Sequence, residues 1–242
     1  NNPEDAHEDP TIKRSRSHDY VSKEVKNVRE NVGVIEIASF SKHEFQGAES
    51  RNFLNYILAG KIPQPGRIIL NPMLTPKGKL YGDLTVACLS ENKFLIFGSG
   101  AVQEMHRRWF EMHIGNFDVT YKNRSDDFHG LALSGPKSRK LLQKLIRENI
   151  SNENFKFRDV REIYVGSIPA IVNRISFTGE LGYEIYVAPH FQLKLYEEIE
   201  IAGKEFNLKP FGSRALMSMR LEKNWGAWTL DFRPDFTAKE SG

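Results

Sequence analysis

The chain has 242 residues, of which 40% are hydrophobic and 27% charged, enough apolar sequence for one large packed domain or two modest ones. Its net charge of +3 is small, and its Lys and Arg residues are spread along the sequence. This composition does not indicate a nucleic-acid-binding protein, although it suits an anionic small ligand. The single cysteine, Cys88, excludes a disulfide framework within the chain.

The N-terminal segment, residues 1–17, is polar and is predicted to be an arm or linker. It lacks the apolar core of a signal peptide, and no part of the chain approaches the length of a membrane-spanning helix. We therefore expect a cytoplasmic protein with no membrane or nucleic-acid partner. The first helix is predicted at about 18–32, where four valines recur at helical spacing.

The remaining sequence alternates between short apolar runs typical of strands and amphipathic helical segments. Up to residue 123 the predicted elements are strands at 33–40 and 43–47, a helix at 48–59, a strand at 66–70, a hairpin at 80–89 and 93–99, a helix at 101–114 and a strand at 117–122. Beyond it they are a strand at 129–135, a helix at 136–146, strands at 161–166, 168–177 and 183–188, and helices at 190–206 and 212–225.

A short internal match suggests that the second half of the chain repeats the first. The pattern Gly-x-x-Ser-Arg-x-apolar-Leu starts at Gly47 and again at Gly135, and a similar order of elements follows both. We predict an α+β fold of two pseudo-repeated βαββαβ-like, ferredoxin-like halves, 18–123 and 124–242. The seam between two such halves is a favoured place for a ligand pocket.

Carboxylates are the most informative candidate site residues. The sequence has no phosphate-binding glycine loop, no zinc-ligand spacing and no G-x-S-x-G elbow, so no metal site is predicted. Asp83 lies within a predicted strand and shares a face with Thr85 and Ala87; that face is either exposed or part of a site. Glu184 shares a face with Tyr186; it either forms an exposed salt bridge or accepts two parallel N–H bonds from a flat heterocycle.

Four motifs carry a resemblance to a known family. In chain order they are LTPKGKLYGDLTV (74–86), GLALSGPKSRKLLQKL (130–145), FTGELGYEIYV (177–187) and MRLEKNWGAW (219–228). They resemble landmarks of the glycine cleavage T-protein family. Two further stretches, VRENVGVIEIASFSKHEFQG (28–47) and DDFHGLALSGP (126–136), are most similar to the tetrahydrofolate-binding half of dimethylglycine and sarcosine dehydrogenases. The resemblance extends from about Ser15 to Gly242.

The resemblance implies tetrahydrofolate binding in a central cavity between the halves. Asp83 matches the family's catalytic aspartate, which contacts the reacting nitrogens of the folate, and Glu184 matches the glutamate that hydrogen-bonds the pterin. Phe177 takes a place often held by tyrosine, which preserves ring stacking but not a hydroxyl hydrogen bond. Arg220 matches an arginine near the folate, and Phe40 stands where T-proteins carry a methionine.

The implied activity is that of an aminomethyltransferase-type enzyme, which transfers a one-carbon unit from a small amine or other donor to tetrahydrofolate. Two alternatives stay open: a non-catalytic folate-binding or regulatory module, and methyl transfer from a sulfonium donor. The family's C-terminal barrel, and the flavin domain of the dehydrogenases, are expected to be absent from this chain. A flavin-containing oxidase or dehydrogenase domain or subunit is therefore a candidate partner.

Overall fold

The computed structural model describes residues 12–228 and 230–241. Within them the chain forms eleven strands and six α-helices. In chain order these are α1 (His18–Glu30), β1 (Val32–Glu36), β2 (Ser41–Gln46), α2 (Ser50–Ile57), β3 (Arg67–Leu74), β4 (Leu80–Ser90), β5 (Lys93–Gly98), α3 (Gln103–Ile114), β6 (Thr120–Asn123), β7 (His129–Ser134), α4 (Ser138–Leu145), β8 (Val160–Val165), β9 (Ile168–Asn173), β10 (Gly182–Val187), α5 (Gln192–Gly203), β11 (Leu208–Pro210) and α6 (Ser213–Glu222).

The strands form two sheets with matching strand orders. The first sheet has the order β3-β4-β5-β2-β6, and the second has the order β8-β9-β10-β7-β1-β11. The predicted α+β class is confirmed. Each half contains three strands between its two helices, so the repeating unit is β-α-β-β-β-α-β, one strand longer than the predicted βαββαβ unit. All three strands are predicted individually in each half, and they form an antiparallel meander; only the βαββαβ description of the unit was one strand short.

The sequence match at Gly47 and Gly135 marks equivalent corners of the two halves, where a strand turns into a helix. Both glycines have positive φ, +148° and +133°. A side chain added at Gly47 would lie 2.2 Å from the Asp118 carbonyl oxygen, and one added at Gly135 would lie 2.5 Å from that of Asn31. Each corner therefore needs glycine because the backbone of another segment crosses close by.

Strand β1 departs from the predicted division of the chain into 18–123 and 124–242. It pairs antiparallel with β7 and parallel with β11, so it lies between these two strands. In the first sheet the equivalent strands, β2 and β6, pair directly with each other. Val32 and Val34 are buried in the core of the second sheet. Helix α1 packs with α6 at this sheet's edge through Val28, Phe211 and Met219. Thus α1 and β1 precede the first half in sequence but belong structurally to the second.

Three apolar layers hold the two sheets and their helices together. One lies between the first sheet and helices α2 and α3, and a second lies between the second sheet and helices α4 and α5. The third lies between the sheets, where Phe97 of β5 stacks on Tyr186 of β10 with ring centroids 4.5 Å apart. Ala87 of β4 and Ile171 of β9 belong to the same inter-sheet core. No helix in the described ranges is both long and apolar enough to span a bilayer.

Candidate functional site

Asp83 and Glu184 both lie on the sheet faces that point toward the other sheet. On β4, Leu84 and Val86 are buried under the helices, whereas Ala87 belongs to the inter-sheet core. Because side chains alternate along a strand, Asp83 lies on the same face as Ala87. On β10, Tyr186 belongs to the inter-sheet core, and Glu184 shares its face. The alternation predicted from the sequence therefore holds for both carboxyl groups.

Asp83 is a half-buried carboxyl without a charged partner. In the described part of the chain no group donates a hydrogen bond to it and no cation lies within ion-pair distance. Burial raises the pKa of Asp83 from 3.8 to about 6. Its neighbour across the ladder, Pro72 on the edge strand β3, has no backbone N–H to donate. Asp83 is thus able to hold or release a proton near neutral pH, as a general acid–base group must.

Glu184 lies deeper and has one firm partner. The Tyr186 hydroxyl donates to its Oε2 at 3.1 Å. Burial raises the pKa of Glu184 from 4.5 to about 7, while Tyr186 and Asn173 act in the opposite direction. Asn173 faces Glu184 across the β9–β10 ladder, but this contact is weak because neither of its buried amide atoms forms a hydrogen bond of standard geometry.

The Glu184–Asn173 pair fits the edge of a pterin ring. A buried amide without partners is unusual in a folded protein and indicates a missing water or ligand. A 2-amino-4-oxo pyrimidine edge carries N–H groups that donate hydrogen bonds to a carboxylate. It also carries a carbonyl oxygen that accepts a hydrogen bond from an amide N–H. The residues present therefore match, donor for acceptor, the group that the sequence resemblance implies.

Two buried side chains that are not among the predicted site residues support this face. His106 on α3 packs directly behind Gly82, where an added side chain would lie 2.9 Å from its Nε2, and that nitrogen lies 3.3 Å from the Tyr81 carbonyl oxygen. Lys42 of β2 is fully buried, with its ammonium 5.9 Å from the Tyr186 ring centroid. Burial lowers the pKa of Lys42 to about 8. Their burial was difficult to predict from the sequence, because a single His or Lys in an amphipathic segment normally faces water.

Phe177 lies in an irregular connection rather than in a strand. The predicted strand 168–177 is wrong beyond Asn173, where β9 ends. Arg174 still donates its backbone N–H to the Asp159 carbonyl oxygen and accepts from the Arg158 N–H, so backbone pairing ends only after this residue; its buried side chain donates to that of Asn152 at 2.6 Å. Phe177 is half-buried, and its ring meets that of Trp225 edge-on with centroids 6.4 Å apart. Its place in ligand binding stays a prediction.

Arg220 and Phe40, the other two predicted cofactor contacts, have different surroundings. Arg220 is only 4% exposed; it donates to the Trp225 carbonyl oxygen at 2.9 Å and forms an ion pair with Asp231. It therefore anchors the segment after α6. Phe40 is 38% exposed and follows the end of β1, in a turn at the same end of the first sheet as Asp83. The roles of both residues toward a cofactor stay predictions.

A separate cleft of about 330 Å³ opens at the edge of the inter-sheet core. Its lining includes the Tyr186 ring and four charged residues, Glu44, Lys93, Arg124 and Glu162. The charged residues form ion pairs with one another. Neither Asp83 nor Glu184 lines it, so it is not the central folate cavity expected from the sequence. That cavity stays a prediction.

Comparison with known proteins places these observations in context. The family model described as the GCVT N-terminal domain matches residues 3–242. The chain is 37% identical over 236 residues to human mitochondrial dimethylglycine dehydrogenase, covering 96% of this chain and 27% of that protein. It is 31% identical over 225 residues to the aminomethyltransferase of Desulfitobacterium hafniense strain Y51, covering 92% of this chain and 61% of that protein. The chain thus spans about a quarter to three fifths of these relatives.

The architecture is also similar to that of a solved structure. The glycine cleavage system aminomethyltransferase T from Bartonella henselae superposes with a TM-score of 0.80 at 22% identity, over 90% of this chain and 58% of that one. At this identity the likeness concerns the fold. It shows that the two-sheet arrangement described above occurs in a protein of that name.

Proposed function

The chain belongs to the GCVT N-terminal domain family, and on this premise we propose that it binds tetrahydrofolate between its two sheets and supports one-carbon transfer to it. The observation that carries the proposal is the pair of carboxyl groups on facing sheets, Asp83 and Glu184, both with pKa values raised by burial and neither paired with a cation among the residues that the structure describes. Uncompensated buried carboxyls are costly, and they are typical of functional sites.

We assign Glu184 and Asn173 to recognition of the pterin edge. The carboxylate accepts ring and amino N–H groups, and the Asn173 amide, unpartnered in the described structure, pairs with the ring carbonyl. The Tyr186 hydroxyl holds the carboxylate in place through Oε2. Binding two or more N–H donors favours the charged form of Glu184 and so lowers its raised pKa.

We assign Asp83 to the chemical step. Tetrahydrofolate, when bound, supplies the nucleophilic nitrogens that accept the one-carbon unit. Asp83 then stabilises positive charge that develops beside it and accepts or relays a proton at its carboxylate oxygen. A pKa of about 6 suits this role, since the group is mostly ionised at neutral pH yet remains basic. His106, packed behind Gly82, holds the strand that carries it.

The donor and partner belong to the same proposal. The relatives named dimethylglycine dehydrogenase and sarcosine oxidase subunit alpha suggest that a flavin-containing oxidase or dehydrogenase domain or subunit produces the one-carbon unit from a small amine. A cytoplasmic location is likewise a proposal.

Titration calorimetry with tetrahydrofolate, performed under reducing conditions, tests binding. The wild-type protein should bind, and Glu184→Gln should weaken binding by about 2 kcal/mol or more, because it replaces an acceptor oxygen with a donor facing N–H groups. Glu197→Gln, an exposed substitution on α5, is the matched control and should change little. Absence of tetrahydrofolate binding by folded wild-type protein would contradict the proposal.

Turnover separates a transferase from a binding module. With a one-carbon donor and, where needed, a flavoprotein in trans, Asp83→Asn should lower turnover at saturating tetrahydrofolate by roughly 100-fold while affinity changes little. Full turnover by this variant would remove Asp83 from catalysis. Binding by the wild-type protein without turnover with any donor would instead favour the non-catalytic folate-binding module.

A further inference from the structure

The cleft at the edge of the inter-sheet core is a second space of ligand size, and we call it the edge cleft. Its volume of about 330 Å³ lies at the small end of the range for ligand pockets, about 300–1,000 Å³. It therefore suits a ligand of amino-acid size rather than a peptide or a nucleotide. Leu89, which lines it, lies six residues along β4 from Asp83, about 20 Å away at the rise of a strand. The edge cleft is thus distinct from the site assigned to the chemical step.

A cation and a carboxylate from opposite sheets meet in the edge cleft. Lys93 belongs to β5 of the first sheet and Glu162 to β8 of the second, and the Lys93 Nζ lies 4.0 Å from the Glu162 Oε1. The Glu44 carboxylate lies 3.8 Å from the same Nζ. Both distances are too long for a hydrogen bond. Within the described ranges neither the Lys93 ammonium nor the Glu162 carboxylate forms one, so both are free to bind a ligand group.

The other two charged residues of the edge cleft already have close partners. Arg124 donates to the Glu44 Oε1 at 3.2 Å, and its guanidinium lies 5.2 Å from the centroid of the Phe128 ring. Glu44 is buried and is held in place by this contact. With Lys93 and Glu162, these residues contribute two carboxylates and two cations, so the charges of the lining balance. Such a lining favours a ligand that carries one negative and one positive group.

An exposed aromatic ring borders the charged pair. Tyr164 lies two residues after Glu162 on the same face of β8, and its side chain is 60% exposed although it lines the edge cleft. The apolar walls of the edge cleft are formed by Leu89, Leu95, Phe128, Ile163 and Ile171. An apolar or aromatic group of a ligand can therefore pack against the Tyr164 ring and these walls.

We propose that the edge cleft binds a free α-amino acid with an apolar or aromatic side chain. The carboxylate and the ammonium of such a ligand are attached to one carbon, so they can pair with two opposite charges that lie 4.0 Å apart. The ligand carboxylate accepts hydrogen bonds from the Lys93 ammonium, and the ligand ammonium donates to the Glu162 carboxylate. The side chain packs against Tyr164. This site does not depend on tetrahydrofolate binding.

A series of matched ligands tests the assignment, with titrations followed by NMR. L-Phenylalanine and L-leucine should bind to the wild-type protein. The first is compared with 3-phenylpropanoate, which lacks the ammonium, and with 2-phenylethylamine, which lacks the carboxylate. Each should bind about 3- to 10-fold more weakly than L-phenylalanine, the range for loss of one partly exposed charge pair. Glycine lacks the apolar side chain and should bind about 10-fold more weakly or worse.

Two variants assign the charged groups. Lys93→Met should weaken L-phenylalanine binding about 3- to 10-fold and should not weaken binding of 2-phenylethylamine, which has no carboxylate. Glu162→Gln should weaken L-phenylalanine binding by a similar factor and should not weaken binding of 3-phenylpropanoate. Lys209→Met, which changes an exposed lysine on β11, is the control for net charge and should leave all these affinities unchanged.

The possible results separate this site from simpler explanations. If neither L-phenylalanine nor L-leucine binds to folded wild-type protein, the inference is wrong. Equal affinities for the three phenyl ligands would show apolar contact alone and would overturn the assignment of both charges. Competition between L-phenylalanine and tetrahydrofolate would place the edge cleft within the folate site and also overturn it. A protein that binds L-phenylalanine but not tetrahydrofolate would contradict the proposed function and leave the edge cleft as a separate ligand site.

Discussion

Replacing Asp83 by Asn should stabilise the protein in the absence of ligand. Asp83 faces the inter-sheet space with no cation within ion-pair distance in the described part of the chain, and burial raises the pKa of its carboxyl from 3.8 to about 6. The folded state therefore binds more protons than the unfolded state between these two values, so stability falls as pH rises through that window and stays low above it. Asn is neutral at every pH, so the substitution removes this loss of stability.

The size of the effect follows from the two pKa values. Each pKa unit corresponds to 1.36 kcal/mol, so the difference between about 6 and 3.8 amounts to an upper limit of about 3 kcal/mol at pH 8. For a chain of this length, that is a rise in melting temperature of roughly 6–12 °C. At pH 5 the folded protein already carries the proton while the unfolded chain does not, and the advantage of Asn should be about half as large.

Urea and thermal unfolding of wild-type protein and Asp83→Asn at pH 8 and pH 5 measure this directly. Asp118→Asn changes an exposed carboxyl and should move stability by no more than about 0.5 kcal/mol. A variant that is less stable than wild type at pH 8, or a difference that does not depend on pH, would refute the reasoning. The desolvation of Asp83 would then not be the source of its raised pKa. A stabilised but inactive variant would show that the buried charge is kept for function at a cost in stability.

Two further predictions concern the hydroxyl partner of Glu184 and the strand–helix corner at Gly135. Tyr186→Phe removes the hydroxyl that donates to Glu184 and should raise the pKa of that carboxyl further. The pH midpoint of tetrahydrofolate binding, followed by calorimetry, should therefore move upward. An unchanged midpoint would contradict the contact. Gly135→Ala should destabilise the fold by about 2 kcal/mol or more in urea unfolding, because its φ is +133° and the added carbon meets the Asn31 carbonyl oxygen. Gly66→Ala, at φ +76° with open space around it, should cost only about 1 kcal/mol, and equal losses at both sites would remove the crowding argument.

Local periodicity was sufficient to predict most strands and both carboxyl positions. A strand exposes alternate residues to opposite faces, so the apolar alternation of β4 and β10 alone assigns Asp83 and Glu184 to the face opposite their helix-packed neighbours. The two strand–helix corners at Gly47 and Gly135 were readable for a similar reason. Positive φ favours glycine through the local conformation of the chain, whereas the close approach of the Asp118 and Asn31 carbonyl oxygens was shown only by the structure.

The pairing of strands that are far apart in sequence could not be predicted in this way. Strand β1 has the apolar pattern of any buried strand, and nothing in residues 32–36 specifies that it pairs with β7 and β11 rather than with β2. The end of β9 at Asn173 was missed because the apolar alternation continues to Phe177, while the buried Arg174 finds its partners about twenty residues earlier in the chain. The hydrogen bonds of β1 and those of the Arg174 side chain both join residues far apart in sequence.

The sequence by itself determined the class of fold, the repeat and the strand faces that carry Asp83 and Glu184, because strand alternation is a local property of the chain. Only the tertiary structure decided which charges are compensated. Arg220 forms an ion pair with Asp231, and Arg29 binds both Glu180 and Glu222, whereas Asp83 has no cation within ion-pair distance among the described residues. Whether a charge is paired or desolvated depends on every group within a few ångströms of it, and folding brings those groups together from distant parts of the sequence.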